Sequence, residues 1–308
     1  MAQVHSGKLR DGRKVAIKVQ FPAVARQLKM DLATISLCVR IVGRMFPKFQ
    51  FTWVLPEFKE YMHQEIDFSI EAKNNARIKQ MFADNKQFAT PDVYNEFCTK
   101  KVLVMEWIDG CKINDVTSIR KMGFREQDVA ELLLENFADQ VFVHGFLHSD
   151  PHSANAFVRP VQIGSRSLPQ LVLLDHGLYR ELNPEFRNNY ARLWRALVMR
   201  DNADIEKYAR ALGAGDYYKV FSFILTWRPF SSTKVGLSGG VTTADMEGVK
   251  KEWEESDPNI SKLLESLDRG TFFFFFLFLI LNFFFLLLLF ERIVVGASNT
   301  NYFAWYQR

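Results

Sequence analysis

One ordered set of polar residues constrains this chain more than anything else in it. The segment His148-Ser149-Asp150-Pro151-His152-Ser153-Ala154-Asn155 places an aspartate and an asparagine five positions apart. Twenty residues after Asn155, the apolar run Leu171–Leu174 delivers Asp175, followed by His176 and Gly177. Far upstream, Val15-Ala16-Ile17-Lys18 reads as a strand that ends near a lysine. An Asp-x-x-x-x-Asn loop and a strand-borne aspartate offer hard oxygen ligands for a cation such as Mg²⁺, and an early strand lysine offers a charge for phosphates. Each signal alone is weak, because a lone strand lysine is usually a surface residue. Their order predicts a site that handles nucleotide phosphates.

Phosphoryl transfer needs positioned phosphates, a metal ion and an oriented nucleophile more than covalent help. On that basis Lys18 is expected to reach the α- and β-phosphates of ATP. Glu65, 47 residues later on a predicted helix, is the candidate that holds Lys18, with Asp67 and Glu71 as competitors on the same stretch. Asp150 is the candidate catalytic base, and Asn155 and Asp175 are the candidate Mg²⁺ ligands. Pro151 biases Asp150 toward an extended conformation, which suits a loop. The backbone groups of Glu106 and Ile108, in Met105-Glu106-Trp107-Ile108-Asp109-Gly110, are expected to meet the adenine.

Two readings compete. The histidines of His148-x-Asp150-x-His152, with His144 and His176 nearby, could ligate Zn²⁺ or build a two-metal hydrolase centre. Alternatively the fold is catalytically inactive and serves as a scaffold or lipid-binding module: no glycine-rich loop precedes Lys18 and no Ala-Pro-Glu follows Asp175.

The 308 residues suffice for two lobes around a sizeable core, and 48% hydrophobic content excludes a disordered chain. A net charge of +4, without a basic stripe interleaved with aromatics, argues against nucleic acid as a partner. Cys38, Cys98 and Cys111 make neither a disulfide framework nor a Cys-x-x-Cys pair. Met1–His5 lacks an apolar secretion signal and an Arg/Ser-rich transit pattern, and reads as the interior of a domain.

Residues 3–20 predict a β-hairpin turning at Asp11-Gly12, and Pro22 opens a helix to about Phe46. Thr52 is expected to cap one further helical stretch carrying Glu65, Asp67, Glu71 and Asn74. Short strands are expected at 92–97, 101–107, 156–158 and 171–174, an amphipathic helix at 124–145, and mostly helix over 184–268. Strands first and helices afterwards predict an α+β, two-lobed architecture. Residues 271–290 are almost all Phe and Leu; as a helix they would span about 30 Å, enough to cross a bilayer. Pyrimidine-rich non-coding DNA also translates into such runs, and a buried core helix is a third reading.

At these motifs the sequence resembles the UbiB/aarF (ADCK-type) atypical kinase family, in particular its eukaryotic aarF-domain-containing kinase 1 type. Ala2-Gln3-Val4-His5 resembles the end of that family's alanine-rich loop. Glu65-Ile66-Asp67-Phe68 with Glu71-Ala72-Lys73-Asn74 resembles its E-x-D-[FY]-x-x-E-A-x-N signature. His148–Asn155 resembles its H-x-D-P-H-P-G-N loop, with Ser153-Ala154 in place of Pro-Gly, and Leu173–Tyr179 resembles L-L-D-H-G-L-Y.

The resemblance covers about 1–268 and implies a protein-kinase-like fold, with an N-terminally truncated small lobe over 1–108 and a helical large lobe over 109–268. It leaves 271–290 as a possible transmembrane helix and 291–308 as a tail. It further implies ATP and Mg²⁺, a mitochondrial and membrane-associated setting, and a role near coenzyme Q or mitochondrial lipid homeostasis. The acceptor would be an undefined small molecule, lipid or protein. The family's K-x-G-Q extension has no counterpart in this sequence.

Overall fold

The computed structural model describes residues 2–45, 54–226 and 230. Thr52, the helical expectation beyond 230, the Phe/Leu run at 271–290 and the tail at 291–308 lie outside the described residues. The described residues group into two units: 2–42 with 54–181, and 43–45 with 182–226 and 230.

In the first unit, β1 (Ala2–Lys8) and β2 (Lys14–Gln20) form the expected antiparallel hairpin, with Gly12 at φ 89° in its turn. β2 pairs on its other side with β4 (Val102–Glu106), so the sheet runs β1-β2-β4 and Lys18 lies opposite Leu103. α1 (Val24–Met45) follows Pro22 as the sequence suggests. The stretch expected to be a single helix after it is two helices, α2 (Val54–Glu65) and α3 (Phe68–Met81). The break has a local cause. Asp67 is extended, and its carboxylate accepts the Ser69 N–H at 3.0 Å, so it caps a new helix instead of continuing the old one.

Side chains alternate across a strand, so Ala16 and Lys18 share a face of β2 with Leu103 and Met105 of β4. Phe68 of α3 packs into that face with Ala16, Leu103 and Met105, and Ala72, four residues on, joins it. The segment before β4 is only partly strand-like: Val93 bridges Met105, and a 3₁₀ turn follows at Asn95–Phe97.

A second sheet has the order β3-β8-β7-β5, from β3 (Phe88–Ala89), β5 (Cys111–Lys112), β7 (Ala156–Ile163) and β8 (Arg166–Leu173). β7 and β8 are longer than sequence predicts. Their outer halves carry Pro160 opposite Pro169, which argues against a strand. Those prolines lie beyond the stretches that β3 and β5 flank, so their missing N–H groups interrupt no further ladder. α4 (Val116–Lys121) and α5 (Glu126–Ala138) precede a π-helical turn over Asp139–His144, which ends at Gly145 in the left-handed region. β6 (Phe146–His148) then pairs with β9 (Tyr179–Glu181) and flanks the two motifs.

The second unit holds α6 (Pro184–Met199), α7 (Asn202–Ala211) and α8 (Tyr218–Thr226). Asn183 and Asp201 cap α6 and α7 through the Glu185 and Asp204 N–H groups. Leu193, Leu197, Ile205 and Ala209 are fully buried on these helices. Among the described residues no helix is long and apolar enough to cross a membrane.

Candidate functional site

Lys18 extends from the central strand of the small sheet toward α3. Its ammonium donates to both carboxylate oxygens of Glu71 at 2.9 Å and to Oδ2 of Asp175 at 2.9 Å. The Phe68 ring centroid lies 5.2 Å from Nζ, a further stabilising contact. This corrects the expected partner. Glu71, not Glu65, holds Lys18. Phe68 and Ala72 anchor α3 on the face that carries Lys18, and Glu71 sits on the same turn. Glu65 ends α2, on the far side of the break at Asp67.

Glu65 instead faces the other carboxylates. A side chain at position 177 would begin 3.3 Å from Oδ1 of Asp175 and 3.8 Å from Oε2 of Glu65, so Gly177 leaves the room that both occupy. Burial, together with the charges of Asp175 and Asp150, raises the Glu65 pKa despite the opposing effect of Lys18.

With both carboxylates ionised, the triad of one ammonium and two carboxylates would carry a net negative charge in a largely buried setting. Glu71 takes the strain: it is 3% exposed, and burial with the nearby Asp175 charge pushes its pKa up to about 7, against the pull of Lys18. Burial pushes Asp175 up as well, but Lys18 and the Gly177 N–H, which donates to Oδ1 at 3.0 Å, outweigh it and hold Asp175 at about 2. Asp175 is therefore ionised throughout the physiological range. Lys18 is raised: burial lowers it, and Glu71 and Asp175 more than compensate.

His148 joins the two motifs. It is 1% exposed. Its Nδ1 accepts the Asp150 N–H at 3.0 Å, which leaves Nε2 protonated to donate to the Asp175 carbonyl at 2.6 Å. Burial depresses its pKa, so the ring is neutral. The His148 N–H in turn donates to Oε1 of Gln140, which is fully buried on the π-helical turn. A second bridge runs through the backbone, where the Leu174 N–H donates to the Asn155 carbonyl at 2.8 Å. A third ties α3 in: Asn74 Nδ2 donates to the His176 carbonyl at 2.9 Å. His176 is itself buried. Its ring nitrogens meet the Leu173 carbonyl and the Tyr179 hydroxyl, and burial with the nearby His148 holds its pKa at about 3.

Asp150 is exposed at the front of this frame. Asn155 Nδ2 reaches back to the Asp150 carbonyl at 3.4 Å, and its Oδ1 has no hydrogen-bond partner among the described residues. Glu106 ends β4; its N–H donates to the Asp92 carbonyl at 2.7 Å, and its side chain meets Arg159 at 3.1 Å. Of the two groups expected to meet the adenine, the Glu106 N–H is thus engaged. The Ile108 N–H has no hydrogen-bond partner among the described residues.

The zinc reading fails on this geometry. Both His148 ring nitrogens are used internally, His152 Nδ1 accepts the Ala154 N–H, and His176 is sealed in the core. Among the described residues no three His, Cys, Asp or Glu side chains are grouped to hold a metal. Sequence reasoning placed Glu65 ahead of its competitor Glu71 as the lysine partner, and missed Gln140 as the support of His148. The packing pair Phe68 and Ala72 could have revealed the first. No sequence signal marks the second.

Comparison with known proteins agrees with this architecture. The model of the ABC1 atypical kinase-like domain matches residues 1–209. AarF domain-containing protein kinase 1 of Xenopus laevis is 36% identical over 270 residues, covering 87% of this chain and 52% of that protein. AarF domain-containing kinase 1 of Drosophila melanogaster is 33% identical over 280 residues, with 87% and 52% covered. The chain thus spans about half the length of these relatives. Among solved structures, the Rv3197–erythromycin complex from Mycobacterium tuberculosis superposes with a TM-score of 0.54 at 22% identity, covering 86% of this chain and 71% of that one, and supports the α+β kinase-like fold alone. With a matching family model over two thirds of its length and a lysine–glutamate–aspartate cluster of the expected kind, the chain belongs to the ABC1 (AarF) atypical kinase family.

Proposed function

We propose that this protein binds ATP with Mg²⁺ and hydrolyses it or transfers its terminal phosphoryl group. The observation that carries the reading is the Lys18 ammonium held at 2.9 Å by both Glu71 and Asp175, with Asp175 fixed to the Asp150 loop through His148. The donor set suits Mg²⁺. An ionised Asp175 and the free Oδ1 of Asn155 are two hard oxygen ligands, and Mg²⁺ characteristically completes its shell with water and substrate phosphates. The metal, when bound, would neutralise charge on the transferring phosphates.

The residues divide the remaining work. Glu71 orients Lys18, which exchanges its contact with Asp175 for the phosphates. Asp150, exposed and set by the His148 hydrogen bond, orients the attacking hydroxyl or water. Ile108 offers its N–H to the adenine edge. A mitochondrial, membrane-associated setting and a role in coenzyme Q or mitochondrial lipid homeostasis belong to the same proposal, supported by the family motifs. The acceptor class is a small molecule, lipid or protein.

Titrating the purified chain with a fluorescent ATP analogue in the presence of Mg²⁺ tests the site. Asp175→Ala should abolish Mg²⁺-dependent binding while far-UV circular dichroism stays unchanged. Undiminished affinity in that variant would remove Asp175 from the assignment. A protein that binds the nucleotide normally and releases no phosphate, either alone or in Asp150→Asn, would favour the inactive-scaffold reading.

A further inference from the structure

α1 carries two apolar stripes on opposite sides. Val24, Leu28, Leu32 and Ser36 recur every four residues and are buried. Met30, Thr34, Leu37, Ile41 and Met45 recur at steps of three and four, and they face away. Met30 is 64% exposed, Leu37 58%, Ile41 46% and Met45 66%. Thr34, within this outward stripe, turns its hydroxyl back onto the Met30 carbonyl, which presents its methyl group. These positions form an apolar ridge along the 22-residue helix, and Ile35 and Val42, 38% and 41% exposed, lie on a different side of it.

The charges beside the ridge are equally ordered. At 100° per residue, Arg26, Lys29, Arg40 and Arg44 fall within a sector of roughly 60° along one flank. None of the four makes an ion pair among the described residues. Some cations on other helices are paired, as Arg77 is with Glu181, Arg120 with Glu126 and Arg210 with Glu206. The helix's one acid, Asp31, lies on the opposite flank.

From this arrangement we infer that α1 is a membrane-surface helix, with its outward ridge entering the headgroup region of an anionic bilayer and its basic flank meeting the lipid phosphates. An apolar ridge bordered by unpaired cations is the pattern of helices that lie in the interface plane, and anionic lipid is the complement of that charge. The inference deepens the membrane-associated setting proposed above. It does not depend on phosphoryl transfer.

The test is co-sedimentation of the full chain with phosphatidylcholine vesicles and with vesicles enriched in phosphatidylglycerol. The Phe/Leu run at 271–290 can supply apolar binding of its own, so the decisive quantity is the difference between wild type and α1 variants. Leu37→Asp with Ile41→Asp, and separately Arg40→Glu with Arg44→Glu, should each lower partitioning onto the anionic vesicles by roughly tenfold or more. ATP-analogue binding should be unchanged in both. If the aspartate pair fails to fold, Leu37→Ser with Ile41→Ser takes its place. A wild type that ignores anionic vesicles would overturn both the setting and the helix. Binding that survives both variants overturns the helix alone. Self-association that Leu37→Asp with Ile41→Asp abolishes, without change in vesicle binding, assigns the ridge to a second copy and also overturns the inference.

Discussion

Replacing Glu71 with glutamine isolates the electrostatics of the lysine cluster. Glutamine keeps the volume and one acceptor for Lys18 but cannot ionise. In the folded protein Glu71 is raised from 4.5 to about 7, so folding favours its protonated form. The stabilisation tied to this group is complete below the unfolded value and is lost as pH rises through the folded one. Each pH unit between the two is worth roughly 1.4 kcal/mol, which puts the loss at about 3 kcal/mol by slightly alkaline pH. The glutamine variant has no such loss.

The stability of Glu71→Gln relative to wild type should therefore shift in favour of the variant by roughly 2.5 kcal/mol between about pH 5 and about pH 8, whatever constant cost the substitution carries. Urea denaturation at the two pH values reads this difference directly. Removing one partner of a buried pair carries its own cost, which is the same at both pH values and cancels from the difference. A variant that instead loses ground to wild type as pH rises would show that Glu71 is comfortably ionised beside Lys18. Two full negative charges would then share the cluster with one ammonium, and the proposed imbalance between Glu71 and Asp175 would be wrong.

Two other substitutions probe the frame. His148→Ala removes a ring that is 1% exposed and that ties the Asp150 N–H to the Asp175 carbonyl, so it should cost about 2–5 kcal/mol in urea unfolding and depress ATP hydrolysis further than binding; hydrolysis at the wild-type rate would deny His148 its connecting role. Gly110→Ala would set a Cβ 2.7 Å from the Val158 carbonyl, an approach that backbone must give way to, and should cost about 1–3 kcal/mol; an unchanged urea midpoint would mean that the strand end yields freely.

Much of this site can be read in the sequence because its chemistry is local. The Asp150–Asn155 spacing, the apolar approach to Asp175 and the alternation around Lys18 each lie within a few residues, and local periodicity reports such patterns well. The partner of Lys18 is different in kind. Glu65, Asp67 and Glu71 are all acids on one stretch, and only the cap at Asp67 and the docking of Phe68 decide which one points inward. The lengths of β7 and β8 were hidden for a related reason: whether Pro160 and Pro169 are tolerated depends on which strands flank them, which is a property of the sheet.

The π-helical turn at Asp139–His144 has a consequence for how sequences of this kind can drift. That widened turn holds one more residue than a regular helix would, and Gln140 reaches the His148 N–H because of it. Deleting a single residue between Phe137 and Gly145 would convert the widened turn to regular helix and draw Gln140 away from the His148 N–H that it supports. Gaps in related chains should accordingly fall in the projecting β7–β8 tip, and the stretch leading into the Asp150 loop should keep a constant length.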